Sequence, residues 1–302
     1  MDLIAAEGIE KRFGQLTALR DISLRVRRGE LYGLIGPDGA GKTTFFRILT
    51  TLMLPDGGRA TVDGLDIATD YRRIRAAVGY MPGRFSLYPD LTVKENLEFF
   101  ATLFGTRLED NYDLIRDIYV QIEPFRSRRA GRLSGGMKQK LALCCALIHR
   151  PRVLFLDEPT TGVDVVSRHE FWDMLSGLKR QGITMLVSTP YMDEAVRCDR
   201  IALIQSGRLL SIDTPRGIIE NYPDALFEVR AENMRQLTDE IRKLSSPKSC
   251  FAFGRSLHVS FSRDDAEAPQ RMRAALTAAG CTNLEIAPIT PSIEDCFIQQ
   301  MR

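Results

Sequence analysis

The stretch GPDGAGKT, residues 36–43, constrains this chain more than any other. An apolar run, LYGLI, precedes it, and the helical pattern KTTFFRILTTLM follows from its last two residues. The spacing fits G-x-x-x-x-G-K-[ST]. Gly36, Gly39 and Gly41 let the backbone curl so that several N–H groups point at phosphate oxygens, and the helix N-terminus adds positive potential. Lys42 is placed to reach the β- and γ-phosphates of a nucleotide, and Thr43 to ligate Mg²⁺. Asp38, Ala40 and Thr44 complete the nucleotide-facing set.

LFLDEP, residues 154–159, supplies a second half. An apolar strand that ends in two carboxylates presents them at the carboxyl edge of a parallel sheet, where ligands bind. Asp157 is the candidate Mg²⁺ holder, and Glu158 the candidate general base for an attacking water. Alone, such a pair reads as a solvated turn or a helix cap; beside a phosphate loop it reads as chemistry.

Buried strands alternate with helices through the first two thirds of the chain. VGYM (78–81), VLFLD (153–157) and TMLVS (184–188) read as strands, with a helix over 165–180. This order predicts parallel βαβ units. TVKENLEFFATLFG (92–105) reads as a helix with a Thr92/Glu95 capping box, and SGGMKQKLALCCALIH (134–149) as another, capped by Ser134. The character changes near residue 214. Strand and helix patterns then follow in the order β-α-β-β-α-β, which suggests a small ferredoxin-like α+β domain. The expected division is 1–222 and 223–302, with a helical subdomain over about 84–150.

LSGGMKQK, residues 133–140, is the decisive addition. Ser-Gly-Gly at a helix start is a second anion-binding geometry, and one nucleotide needs only one phosphate loop. With GPDGAGKTT, LFLDEP and TGVD in order, the chain resembles the nucleotide-binding subunits of ATP-binding cassette transporters over roughly residues 1–220. The resemblance implies an α/β P-loop NTPase cassette, with a mixed sheet core and a helical subdomain. It implies a head-to-tail dimer with a second nucleotide-binding subunit, identical or different. Two Mg-ATP lie between the chains, each held by one chain's phosphate loop and the other's Ser134, Gly135 and Gly136. Asp164 of TGVD then sits across the interface. Phe13 stands where the family places an aromatic ring on adenine; a core phenylalanine is the alternative.

Two positions depart from the family pattern. Family members usually carry histidine directly after Ser-Thr, aimed at the γ-phosphate; here Pro190 follows Ser188 and Thr189. Proline has neither a side-chain donor nor an N–H. Family members usually carry glutamine where Gly83 stands. Two readings stay open. The subunit binds ATP and hydrolyses it slowly, as a degenerate or regulatory cassette, or nearby groups substitute: Arg84, or the hydroxyls of Thr189 and Tyr191.

The C-terminal segment PSIEDCFIQQM (291–301) resembles the end of cassette subunits of drug- and polymer-type exporters, which work with a separate integral-membrane permease. As an amphipathic helix it would bury Ile293, Phe297 and Ile298 and leave Glu294 and Asp295 in water. His258 reads as isolated. Apolar Phe85, Leu87 and Tyr88 suggest a docking groove for the permease, or ordinary packing. Net charge is +2, from 41 basic and 39 acidic residues, which gives no electrostatic case for nucleic acid. A soluble, non-transport cassette ATPase is the remaining alternative. Six dispersed cysteines and an N-terminus without a signal-peptide pattern place the chain in the cytoplasm, at the membrane's cytoplasmic face through the permease.

Overall fold

The computed structural model describes residues 1–84 and 86–301. The chain divides into two compact units, residues 1–216 and 217–300, so the division falls ahead of the expected 222/223 boundary.

In the first unit, strands β1 (Asp2–Phe13) and β2 (Leu16–Arg27) form a hairpin. Along β2, Ile22, Leu24 and Val26 are buried while Ser23, Arg25 and Arg27 face water, the period-2 pattern of a sheet covered on one side. Strand β3 (Leu31–Ile35) is buried throughout and leads into helix α1 (Lys42–Leu49). Next come β4 (Gly57–Val62), β5 (Leu65–Asp66), α2 (Tyr71–Ala77) and β6 (Val78–Met81).

Three helices follow: α3 (Val93–Leu103), α4 (Tyr112–Tyr119) and α5 (Gly135–Leu147). The expected capping box starts α3. Thr92 Oγ1 accepts from Glu95 N at 3.2 Å, and Thr92 N donates to Glu95 Oε2 at 2.7 Å. Such a cap contributes about 1 kcal/mol. Helix α5 is buried on all sides from Leu141 to Leu147, as a helix packed between other elements must be. Strand β7 (Val153–Asp157), helix α6 (Val165–Arg180), and strands β8 (Thr184–Thr189), β9 (Arg200–Gln205) and β10 (Arg208–Asp213) complete the unit. Helix α7 (Pro215–Glu220) runs through the division.

One sheet of this unit has the order β2-β1-β4-β5 and is antiparallel. The other has the order β10-β9-β3-β8-β7-β6; it is parallel except at its β10 edge. β3, β7 and β8 are buried on both faces because both faces are covered. Register sets the functional edge: Ile35 lies opposite Thr189, and Ser188 opposite Asp157. The ends of β3, β8 and β7 therefore stand in one row.

The second unit holds β11 (Ala225–Arg230), α8 (Met234–Lys243), β12 (Ser249–Phe253), β13 (Ser256–Phe261), α9 (Ala268–Ala278), β14 (Glu285–Pro288) and α10 (Ile293–Gln300). This is the β-α-β-β-α-β order read from the sequence, folded as an antiparallel sheet in the order β12-β13-β11-β14. Val229, Leu257, Val259 and Phe261 form its core with Leu237, Met272 and Leu276 of the helices. Two expectations are corrected here. Asp295 is buried, not solvated, and His258 is not isolated. Asp295 Oδ1 pairs with His258 Nδ1 at 2.7 Å, while Oδ2 accepts from Ser292 N and Oγ at 2.8 and 2.6 Å. These bonds replace the water a carboxylate loses on burial.

Candidate functional site: the phosphate loop and two carboxylates

The loop between β3 and α1 is shaped by contacts that exclude side chains. A Cβ on Gly36 would lie 2.2 Å from Ile204 O. Gly41 has φ +105°, and a Cβ there would lie 2.6 Å from Ala18 O. Only glycine fits either position. Gly36 N donates to Thr189 O at 3.2 Å, which ties the loop to the end of β8. Gly41 caps α1, and the first turn of α1 carries no acidic residue. Its positive end is therefore uncompensated by the helix's own side chains.

Lys42 is buried within this curl. Its Nζ donates to Gly36 O at 2.7 Å and Pro37 O at 2.9 Å, and lies 3.1 Å from Glu158 Oε1. Asp157 is 1% exposed, at the end of β7. Its Oδ1 accepts from Ser188 Oγ at 2.7 Å. Burial raises the Asp157 carboxyl above its ordinary range, against the opposing pull of the nearby Ser188 and Thr43 hydroxyls. Thr43 and Asp157 thus offer adjacent hard oxygens. Among the described residues no group of three or more His, Cys, Asp or Glu gathers to cage a metal. The pair fits Mg²⁺, which binds through one or two protein oxygens together with substrate phosphates.

Glu158 sits on backbone that few non-glycine residues adopt, with φ +50°. Its N–H is held by Ser188 O at 3.1 Å and Ser188 Oγ at 2.9 Å. This aims the carboxylate into a cleft of about 450 Å³ lined by Phe13, Thr17, Gly39, Lys42, Thr43 and Thr44. Phe13 is 46% exposed, so it is a wall of this cleft and not a core residue.

Ser134, Gly135, Gly136 and Asp164 are not among the residues lining that cleft. Ser134 Oγ caps α5 by accepting from Met137 N at 3.4 Å, and Ser134 and Gly135 are exposed. A Cβ on Gly136 would lie 2.7 Å from Ser167 Oγ, so α5 and α6 meet closely at their N-termini. Asp164 caps α6 through Ser167 N at 3.0 Å, and the bonds from Ser167 hold its carboxyl below the usual range.

The two departures are resolved in part. A Cβ on Gly83 would lie 3.1 Å from Asp157 O, so the chain runs here close against the backbone that carries the two carboxylates, with Gly83 itself exposed. Arg84 is exposed and makes no ion pair among the described residues. The Thr189 hydroxyl is buried and donates to Glu194 Oε2, while accepting from Tyr191 N at 3.1 Å. Its single proton is committed to Glu194 and it is fully buried, so it is not free to donate to a water or a phosphate. The Tyr191 ring lies 3.9 Å beneath the Arg168 guanidinium. Thr160, Arg168 and Glu194 carry no signal in the sequence that marks them as part of the site. Ser188 carries one of position only, two residues before Pro190 and at the end of a buried strand.

Comparison with known proteins decides the family. The model of the ABC transporter family matches residues 19–161. The Nod factor export ATP-binding protein I of Burkholderia lata is 36% identical over 295 residues, covering 96% of this chain and 94% of that protein. The chain belongs to the ABC transporter ATP-binding family. Another member, the probable multidrug ABC transporter ATP-binding protein YbhF of Escherichia coli, is 38% identical over 98% of this chain. The chain spans only 51% of YbhF, about half its length. The ABC fold is also shared with a bacterial ABC transporter cassette solved as a dimer. That match has a TM-score of 0.63 and 25% identity, over 70% of this chain and 98% of the other.

Proposed function

We propose that the chain is the ATP-binding subunit of an ABC exporter. It binds and hydrolyses Mg-ATP in a head-to-tail dimer and drives export through a separate integral-membrane permease. One observation carries this reading: Lys42, Thr43 and Glu158 line one cleft, with Asp157 buried directly before Glu158, while Ser134, Gly135 and Asp164 are exposed and do not line it. A nucleotide in the cleft is half enclosed, and a second chain supplies the rest.

Bound Mg²⁺ screens phosphate charge and orients the triphosphate. The loop amides and Lys42 hold the phosphates, Phe13 stacks on the base, Thr43 and Asp157 hold the metal, and Glu158 takes the proton of the attacking water. Export is supported by relatives whose names describe Nod factor export and daunorubicin resistance. Among the described residues no helix is long and apolar enough to cross a membrane.

The docking surface lies along α3. Tyr88 is 47% exposed and packs edge-on against Phe99, with ring centroids 4.8 Å apart. Leu103 is 64% exposed. A cavity of about 160 Å³ opens beside them, lined by Phe100, Phe104, Met81 and Leu87. Leu87 is buried and belongs to the packing; Phe85 lies outside the described residues.

A second reading, a cassette with little hydrolysis, is favoured by Gly83 and Pro190. Size-exclusion chromatography of Glu158→Gln with and without ATP tests the dimer. The expected result is a shift to twice the mass with ATP, abolished by Ser134→Arg; a monomer under both conditions contradicts it.

A further inference from the structure

Glu194 is a carboxylate with 4% exposure, in the 3-10 turn Met192–Arg197. Three separate segments donate to it. Thr160 Oγ1 donates to Oε1 at 2.8 Å, Arg168 Nε to Oε1 at 3.0 Å, and Thr189 Oγ1 to Oε2 at 2.5 Å. Thr160 and Thr189 are themselves buried. A buried, charged and fully bonded hub of this kind is costly to build and rigid once built.

Each donor leads to a different part of the site. Thr160 lies two residues beyond Glu158, whose backbone is left-handed. Thr189 ends β8; its carbonyl holds Gly36 N, its neighbour Ser188 holds Asp157 and Glu158, and Pro190 follows. Arg168 lies in the first turns of α6, whose cap is Asp164, and its guanidinium covers Tyr191. With proline after Thr189, no side chain at that position reports the γ-phosphate. The end of β8 must be held in line by another group.

We propose that Glu194 is a positioning residue for hydrolysis: through Thr189 and Thr160 it fixes the ends of β8 and β7, and hence Glu158, to the partner-facing start of α6. It is not among the residues that line the nucleotide cleft. The inference rests on the hydrolysis reading above.

Steady-state ATPase assays of the full chain test it. Thr189→Val removes one hydroxyl and leaves the Arg168–Glu194 pair in place. The expected kcat falls about tenfold while KM for Mg-ATP stays within about twofold, because small misplacements of reacting groups reduce rate and not binding. Thr189→Ser, which keeps the hydroxyl, restores kcat to within about twofold. Glu194→Gln shows the same split, and combining it with Thr189→Val costs no further loss, as for members of one network. Wild-type kcat in Thr189→Val, a KM that rises in proportion, failure of the serine variant to rescue, or multiplicative losses in the double variant would each overturn the proposal. The same assay on Glu158→Gln separates the two readings. Turnover that survives that substitution contradicts the hydrolysis assignment itself, whatever Thr189 does.

Discussion

Lys42 Nζ lies 3.1 Å from Glu158 Oε1, so the proposed phosphate-binding cation and the candidate base are directly paired. Two backbone carbonyls, Gly36 O and Pro37 O, share the same ammonium. A nucleotide phosphate is a stronger anionic partner than either carbonyl. On the proposed reading, its arrival would draw the ammonium toward the phosphate and leave Glu158 free to accept a proton. Lys42→Ala is expected to weaken Mg-ATP binding at least about tenfold in a fluorescent-nucleotide titration. Unchanged affinity would contradict the assignment.

Asp157 carries a pH-dependent signature. Its folded carboxyl is raised, chiefly by burial, so the folded state holds this proton more tightly than the unfolded chain. The contribution of this group to stability is therefore fully present below the unfolded carboxyl range and is lost as pH rises through the folded value. Without a divalent cation, Asp157→Asn is expected to raise Tm at neutral pH and to reduce the gain seen on acidification. It is also expected to abolish the further Tm increase given by Mg-ATP. An Mg-ATP shift that persists in this variant would show that Asp157 does not hold the metal.

Gly41 is required by shape. Its φ is +105°, and Ala18 O lies 2.6 Å from the point where a side-chain methyl carbon would stand; both oppose any other residue. Gly41→Ala is expected to destabilise the first unit by about 1–3 kcal/mol. Chemical denaturation measures it directly; a cost below about 0.5 kcal/mol would mean that the loop shifts freely.

Tyr88 tests the proposed permease surface separately from the nucleotide cleft. Half exposed against Phe99, it is not among the residues that line that cleft. Tyr88→Asp is expected to abolish co-purification with the permease and leave ATP binding and Tm near those of the unsubstituted chain. Retained co-purification would place the docking surface elsewhere.

The site is legible in the sequence where its chemistry is local. The caps Thr92, Ser134 and Asp164 each act within a few residues of where they stand, and Lys42 folds back on Gly36 and Pro37 of its own loop; the two carboxylates show by their place at the end of β7, though their partners Ser188 and Lys42 are distant. Side chains answering to distant segments are not legible. Glu194 carries no motif in the sequence; its surroundings come from Thr160, in another loop, which donates to it, and from Arg168, in α6, which pairs with it. Asp295 misleads for the same reason. Helical periodicity assigns it to water, but Ser292 and His258 supply the hydrogen bonds that burial requires. Phe13 stays undecided in the sequence because its exposure depends on where the β1–β2 hairpin stands relative to the loop after β3.

The most direct measurement is phosphate release from Mg-ATP by the purified chain, beside Glu158→Gln. The account expects steady turnover in the unsubstituted chain, at least about a hundredfold lower in the variant, with ATP binding retained in both. Equal rates in the two, or nucleotide binding with no turnover in either, would contradict a hydrolase that works through Glu158.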